Sequence, residues 1–171
     1  MDNYERNKSK NCLEAMLAAE NLDNKIKEFW PKNGPATHEI KKYIKKYSKE
    51  KIVIKCGGNV LLEPNLFNNF IKDIVTLKKL GLNPLIVHGG GPRIKKKLDE
   101  LNIETKFIMG LRVTDEKIIK VVQDVMTKFN KEIVESLENE TCKAKSITIS
   151  ENISIYVEQK SKELGYVGFP K

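Results

Sequence analysis

The chain has 171 residues, of which 40% are hydrophobic, 32% charged and 7% aromatic. That size suits one ordinary globular domain or part of a larger one, and the apolar content excludes collagen-like, mucin-like and wholly disordered chains. No apolar run approaches the roughly 18 to 20 residues that span a bilayer, and the start Met1-Asp2-Asn3-Tyr4-Glu5 has no apolar signal-peptide core.

The net charge of +8 raises the question of nucleic acid. Only Arg6, Arg93 and Arg112 are arginine, however, and the lysines are spread along the whole chain. A nucleic-acid surface usually clusters arginine with stacking aromatics, so no nucleic-acid partner is expected. The excess charge still favours anionic ligands in any cleft. Cys12, Cys56 and Cys142 lie far apart, and only His38 and His88 could join them. No metal-ligand spacing results, which predicts free thiols in a reducing compartment and no bound metal.

Residues 8 to 30 have helical spacing, with Leu13, Met16, Leu17, Leu22, Ile26 and Phe29 recurring along one side. Pro31 to Pro35, with Gly34 between, breaks the chain. A second, amphipathic helix is predicted over about 36 to 48, with Ile40, Tyr43, Ile44 and Tyr47 on one face and lysines on the other. That face must pack on a partner subunit or on its own chain. From Lys51 the pattern changes. Lys51 to Lys55 reads as a buried strand, followed by the glycine turn Cys56-Gly57-Gly58-Asn59. Leu66 to Leu80 reads as a helix stopped by Gly81. Pro84 to His88 is a second short strand, Gly89-Gly90-Gly91 follows at once, and Pro92 suits the first turn of a helix ending near Leu101. Strand, glycine turn and helix, repeated, is the order of a parallel α/β sheet.

Thr105 to Met109 is a candidate strand and Gly110 to Asp115 a loop, with Thr114 a candidate N-cap. A long helix is predicted over about 115 to 138, its apolar stripe running from Ile118 to Leu137. Ser146 to Ile149 and Ile153 to Gln159 read as two strands turning at Glu151-Asn152.

Open α/β sheets bind ligands at the C-terminal ends of their strands, where both glycine turns lie. Glycine lets backbone N–H groups approach an anion, and a helix N-terminus adds partial positive charge. Lys55 ends an otherwise apolar strand beside Gly57 and Gly58. It either reaches the same anion or snorkels to water. Neither turn has the Gly-Lys-Ser/Thr of a P-loop, and Gly89-Gly90-Gly91 lacks the dinucleotide spacing. Arg112 sits in a loop and suits a two-pronged grip on a carboxylate, or a surface ion pair. His88 is a candidate base, or a hydrogen-bonded structural histidine.

Ile52-Val-Ile-Lys55-Cys-Gly-Gly-Asn59, then Asn83-Pro-Leu-Ile-Val-His-Gly-Gly-Gly-Pro92, then Gly110-Leu-Arg-Val-Thr-Asp115 together resemble the amino acid kinase family. The last of these, with Asn130-Lys-Glu-Ile133 and Glu163-Leu-Gly-Tyr-Val-Gly168, resembles its N-acetylglutamate kinase branch. The resemblance covers roughly Tyr43 to Pro170. It implies a three-layer α/β/α sandwich with a mainly parallel sheet, preceded by N-terminal helices. It also implies ATP- and Mg2+-dependent phosphorylation of the side-chain carboxylate of N-acetyl-L-glutamate, a step of arginine biosynthesis. By resemblance, Lys55 is catalytic and binds phosphate with Gly57, Gly58 and Gly89, while Gly90, Gly91 and Arg112 hold the acetylglutamate. The helix with Tyr43 and Tyr47 resembles one that joins subunits, implying a homo-oligomer, dimer or hexamer.

Two departures stand out. Ser146 and Ile149 occupy positions where the family usually has glycine. The chain also stops about where the family's first half stops, so most of the nucleotide site has no counterpart here. The expected organisation is a helical extension over 1–35, the amphipathic helix over 36–50 and the acetylglutamate-binding half over 51–171. A second chain could supply the missing half. The alternative is a non-catalytic remnant that binds acidic metabolites or a kinase subunit. A cytoplasmic location is expected, with a plastid as the alternative, and no membrane partner.

Overall fold

The computed structural model describes residues 3–58, 62–147 and 156–170, with the backbone alone for residues 3–13 and 15. The fold class is α/β. Two compact units interleave in sequence: Met1–Ile54 with Lys72–Ile86, and Lys55–Ile71 with Val87–Lys171. Among the described residues no helix is long and apolar enough to cross a membrane.

In the first unit, α1 (Asn3–Phe29) and α2 (Thr37–Tyr47) are separated by a turn. In that turn the Gly34 N–H donates to Pro31 O (2.9 Å) and Trp30 Nε1 donates to Pro35 O (3.1 Å). Ile40 and Ile44, one helical turn apart, bury against Ile26 and Leu80, with Leu22 and Trp30 packed at the margin. Ile40 and Ile44 of the apolar face of α2 therefore pack on their own chain, the second of the two choices left by the sequence. An ion pair between Lys41 and Asp23 ties α2 to α1. Tyr43 stays exposed, its ring stacked parallel to that of Tyr47 at 6.4 Å.

Strands β1 (Lys51–Cys56) and β2 (Asn83–His88) pair with each other in parallel, and α3 (Pro64–Lys79) is the crossover between them. Along both strands burial alternates. Ile52, Ile54, Pro84 and Ile86 are half-buried, whereas Val53 is 62% exposed and Leu85 and Val87 are exposed too. The sequence reads β1 as a buried strand, and this is corrected: one face is covered and the other faces solvent. Isolated β-branched runs look alike in both cases, because periodicity cannot report what lies on the second face.

In the second unit, α4 (Gly91–Glu100) packs on α5 (Glu116–Asn139). Ile94, Leu98 and Ile118 form the centre of that contact, flanked by Ile103, Val121, Val125 and Met126. Between the helices, β3 (Phe107–Ile108) and β4 (Leu111–Arg112) make an antiparallel hairpin. Its two turn residues, Met109 (φ 48°) and Gly110 (φ 78°), are both left-handed, as the tightest hairpin turn requires. The predicted N-cap at Thr114 is corrected. Asp115 caps α5, its carboxylate accepting from the Ile118 N–H at 2.8 Å, while the buried Thr114 hydroxyl donates to Arg112 O (3.0 Å). A carboxylate one residue nearer the helix has the better reach to that N–H.

The predicted pairing of Ser146–Ile149 with Ile153–Gln159 is not what Val157–Gln159 does. This segment, β5, pairs antiparallel with β6 (Gly168–Pro170) across a short 3-10 turn at Lys162–Leu164. The turn proposed at Glu151-Asn152 lies outside the described residues. So the segment ending at Pro170 is itself a strand, its partner the upstream Val157–Gln159, too irregular in sequence to advertise the pairing.

Three helices end alike. After α3, α4 and α5 comes one left-handed residue, Gly81 (φ 90°), Asn102 (φ 52°) and Thr141 (φ 60°) respectively. In each case the next residue's N–H reaches back to the helix: Leu82 to Leu77 O (3.1 Å), Ile103 to Leu98 O (2.9 Å) and Cys142 to Leu137 O (2.9 Å). This satisfies carbonyls the helix leaves unpaired. Only Thr141 is β-branched, and it holds that conformation at a cost. Thr141→Gly is expected to raise stability by about 1 kcal/mol, read as a higher urea midpoint at unchanged slope.

Candidate functional site

The second unit contains every residue singled out from the sequence as a candidate. Lys55 and Cys56 end β1, and Gly57-Gly58 leave it; His88 ends β2, and Gly89-Gly90 lead into α4. The Gly89 N–H faces Cys56 O at 3.4 Å, which sets the two glycine turns side by side. The glycines are of two kinds. A Cβ on Gly58 would lie 2.8 Å from Pro92 Cδ, and one on Gly90 would lie 2.2 Å from Met126 Sδ. These two positions are closed by packing. At Gly57, Gly89 and Gly91 nothing among the described residues stands within 4 Å of where a Cβ would be, so those positions are open to them.

α4 starts at this point with Gly90 as its N-cap and no side chain in the capping position. Its first N–H groups and the positive end of its dipole therefore suit an anion. Lys55 is exposed and, among the described residues, makes no ion pair. Its charge is thus available beside the turns. Cys56 is buried, and burial pushes its thiol pKa up, so it stays protonated and is a packing residue rather than a nucleophile.

α5 braces this arrangement. The Phe129 ring meets His88 edge-on at 4.8 Å and carries the Arg93 guanidinium over its face at 3.8 Å. Asn130 Nδ2 lies 3.4 Å from His88 Nε2, and Glu132 takes Arg93 in two contacts, 2.5 and 3.0 Å. Met126, Phe129, Asn130 and Glu132 are thus all pieces of the glycine-turn scaffold. From sequence, Met126 and Phe129 belong to an apolar stripe, and nothing in the spacing of Glu132, 39 residues from Arg93, announces their pairing. His88 is held as a structural histidine. Burial lowers its pKa, the nearby Gly89 backbone opposes this, and the Arg93 charge lowers it further.

Arg112 stands on the hairpin, its guanidinium 4.7 Å over the ring of Phe107, directly across the strand pair. Among the described residues it has no hydrogen bond to Lys55 or the glycine turns, so the structure joins Lys55 with Gly57, Gly58, Gly89, Gly90 and Gly91 but leaves Arg112 on a separate support. Below the hairpin, two distant segments meet. The Thr114 N–H donates to Leu164 O (3.0 Å) and the Tyr166 N–H donates to Thr114 O (2.7 Å). Gly165 (φ 66°) fits between them, where a Cβ would fall 2.2 Å from Thr114 O. Among the described residues no three His, Cys, Asp or Glu side chains gather to hold a metal ion.

The model of the amino acid kinase family matches residues 50–168 of this chain. The chain belongs to that family. The acetylglutamate kinase of Pelagibacter ubique (strain HTCC1062) is 59% identical over 140 residues, which are 82% of this chain and 49% of that protein. The acetylglutamate kinase of Petrotoga mobilis (strain DSM 10674 / SJ95) is 48% identical over 131 residues, 74% of this chain and 43% of that protein. The chain therefore spans about half the length of the curated relatives it matches. Among solved structures, smu.665 from Streptococcus mutans UA159 superposes with a TM-score of 0.63 at 28% identity, covering 72% of this chain and 50% of that one. N-acetylglutamate synthase from Neisseria gonorrhoeae, complexed with coenzyme A and N-acetyl-glutamate, also gives 0.63, at 20% identity over 78% of this chain and 31% of that one. That second likeness is one of fold.

The lowered His88 pKa has a consequence for stability. A histidine whose folded pKa lies below its ordinary value of 6.5 contributes stability that is present above that value and is lost as pH falls through the folded pKa. Between about pH 7.5 and about pH 5 the melting temperature of the wild-type chain is expected to fall more than that of His88→Gln, which cannot take up the proton. Parallel thermal melts across that range check it.

Proposed function

We propose that this chain is the acetylglutamate-binding half of an N-acetylglutamate kinase, which transfers the γ-phosphoryl group of ATP to the side-chain carboxylate of N-acetyl-L-glutamate. The observation that carries it is the meeting of two glycine turns at the ends of paired strands, with Lys55, which makes no ion pair among the described residues, beside them. The acetylglutamate kinase relatives, at up to 59% identity, support the choice of substrate.

The chemical difficulty is anion against anion. A carboxylate oxygen attacks the γ-phosphorus while the bond to the β,γ-bridging oxygen breaks, leaving ADP and an acyl phosphate. Little covalent help is needed; positioning and charge neutralisation do most of the work. In this proposal Lys55 neutralises charge on the transferring phosphoryl group. Gly57, Gly58 and Gly89 line the phosphate side, where the open space at Gly57 and Gly89 leaves room for its oxygens. Gly90 and Gly91 hold the acetylglutamate at the start of α4, and Arg112 grips its α-carboxylate. Mg2+ would enter as the complex with the ATP phosphates. Assembly of copies through the exposed Tyr43 side of α2, and a cytoplasmic location like that of a bacterial biosynthetic enzyme, belong to the same proposal.

The test is a hydroxamate trap for acyl phosphate with ATP and N-acetyl-L-glutamate. It is run on this chain and on this chain joined to the C-terminal half of the Pelagibacter relative. Lys55→Ala is expected to lower turnover about 10²- to 10³-fold, the usual effect of removing one group aimed at developing charge. Undiminished turnover in Lys55→Ala overturns its role. Binding of N-acetyl-L-glutamate without turnover in either form overturns the kinase assignment and favours a metabolite-binding remnant.

A further inference from the structure

We propose that Phe107 is a positioning residue for Arg112: its ring holds the guanidinium without neutralising it, leaving the N–H donors and the full charge for a substrate carboxylate. This rests on the carboxylate-gripping role proposed above for Arg112.

Four observations carry it. Phe107 and Arg112 are direct partners across the hairpin, and the guanidinium carbon lies 4.7 Å from the ring centroid. Arg112 makes no ion pair among the described residues, and its Nη1 is buried without a hydrogen-bond partner there. The acidic groups nearest in sequence are occupied elsewhere: Asp115 caps α5 through Ile118, and Glu116 pairs with Lys120 at 2.8 Å. Finally, Phe107 is 58% exposed, so it is not a core residue whose ring is explained by burial.

The physical reason follows from the donors of arginine. A carboxylate neighbour would orient the guanidinium by using its in-plane N–H groups, the same groups a substrate carboxylate needs, and would cancel its charge. An aromatic face attracts the cation through its quadrupole and occupies none of those donors. The two-residue turn at Met109-Gly110 fixes the register, so the ring has little freedom to slide away from its partner. Phe107 thereby selects for ligands that bring a planar anion to Arg112.

The experiment is calorimetric titration of the 171-residue chain with N-acetyl-L-glutamate and with its α-carboxamide analogue, which lacks the α-carboxylate charge. Phe107→Leu, which keeps bulk but loses the ring, is expected to weaken N-acetyl-L-glutamate binding about two- to five-fold, the worth of an exposed cation–π contact. Phe107→Tyr is expected to restore it, and the carboxamide should bind all three forms alike. Unchanged binding in Phe107→Leu, with binding lost in Arg112→Ala, overturns the positioning role alone. An equal loss for both ligands also overturns it, because a merely loosened hairpin would affect both. Wild-type binding in Arg112→Ala, or no uptake of N-acetyl-L-glutamate by the wild-type chain, overturns the proposed function and the positioning role together.

Discussion

Two backbone turns lie side by side here, and two of their residues are packed where a Cβ would collide with a neighbour. At Gly58 a methyl group would meet Pro92, and at Gly90 it would meet Met126. Both contacts are well inside ordinary van der Waals distance: at Gly58 the rigid Pro92 ring would have to move, and at Gly90 the Met126 side chain would have to swing aside. The site depends on this close approach. The end of β1 presents Lys55, the end of β2 feeds the start of α4, and the N–H of Gly89 bridges the two through Cys56 O. The glycines that pack shut and those that stay open, Gly57, Gly89 and Gly91, alternate along the turns, so the same loops are both a joint and a cradle.

α5 makes that joint rigid. Its residues 126 to 132 touch the second turn through a thioether, a ring, an amide and a carboxylate. Arg93 is pinned between Phe129 and Glu132, so its charge is committed to structure. Lys55 and Arg112 are the contrast: neither has a carboxylate partner among the described residues. In a chain with net charge +8, surface lysines pair with nearby acids along helices, as Lys95 with Asp99 and Lys128 with Asp124 do. Such exposed pairs contribute little to stability. Helix surfaces also carry lysines with no ion pair among the described residues, such as Lys96 on α4 and Lys117 on α5, so what sets Lys55 and Arg112 apart is their place, on a strand end and on a hairpin.

The uncovered face of β1 and β2 belongs to the same picture. Parallel strands are normally sheltered on both sides, yet Val53 and Val87 face solvent. The chain spans about half the length of the curated relatives it matches. Other elements are closed locally: the two-residue hairpin, the capped α5 and the three left-handed helix stops.

The sequence by itself determined the order of elements and the family. Gly, Pro and the change of hydrophobic period are local signals, and from them the two βα units and the helices are legible to within about two residues, apart from the start of α1, which lies at Asn3 rather than near residue 8. The candidate residues Lys55, Gly57, Gly58 and Gly89 to Gly91 stand out because both glycine turns follow strands and a lysine ends the first of them, although two of the glycines also serve packing. What only the tertiary structure decided are matters of distance between remote residues. Asp115, not Thr114, caps α5, since reach to one N–H is a matter of ångströms that composition does not encode. Val157–Gln159 pairs with Gly168–Pro170 because Thr114 and Gly165 pin the intervening turn. Whether α2 packs at home, which side of β1 is covered, and which arginine is neutralised by a glutamate 39 residues away all depend on where the chain returns. Local sequence fixes torsion angles, while burial and pairing are properties of the closed chain.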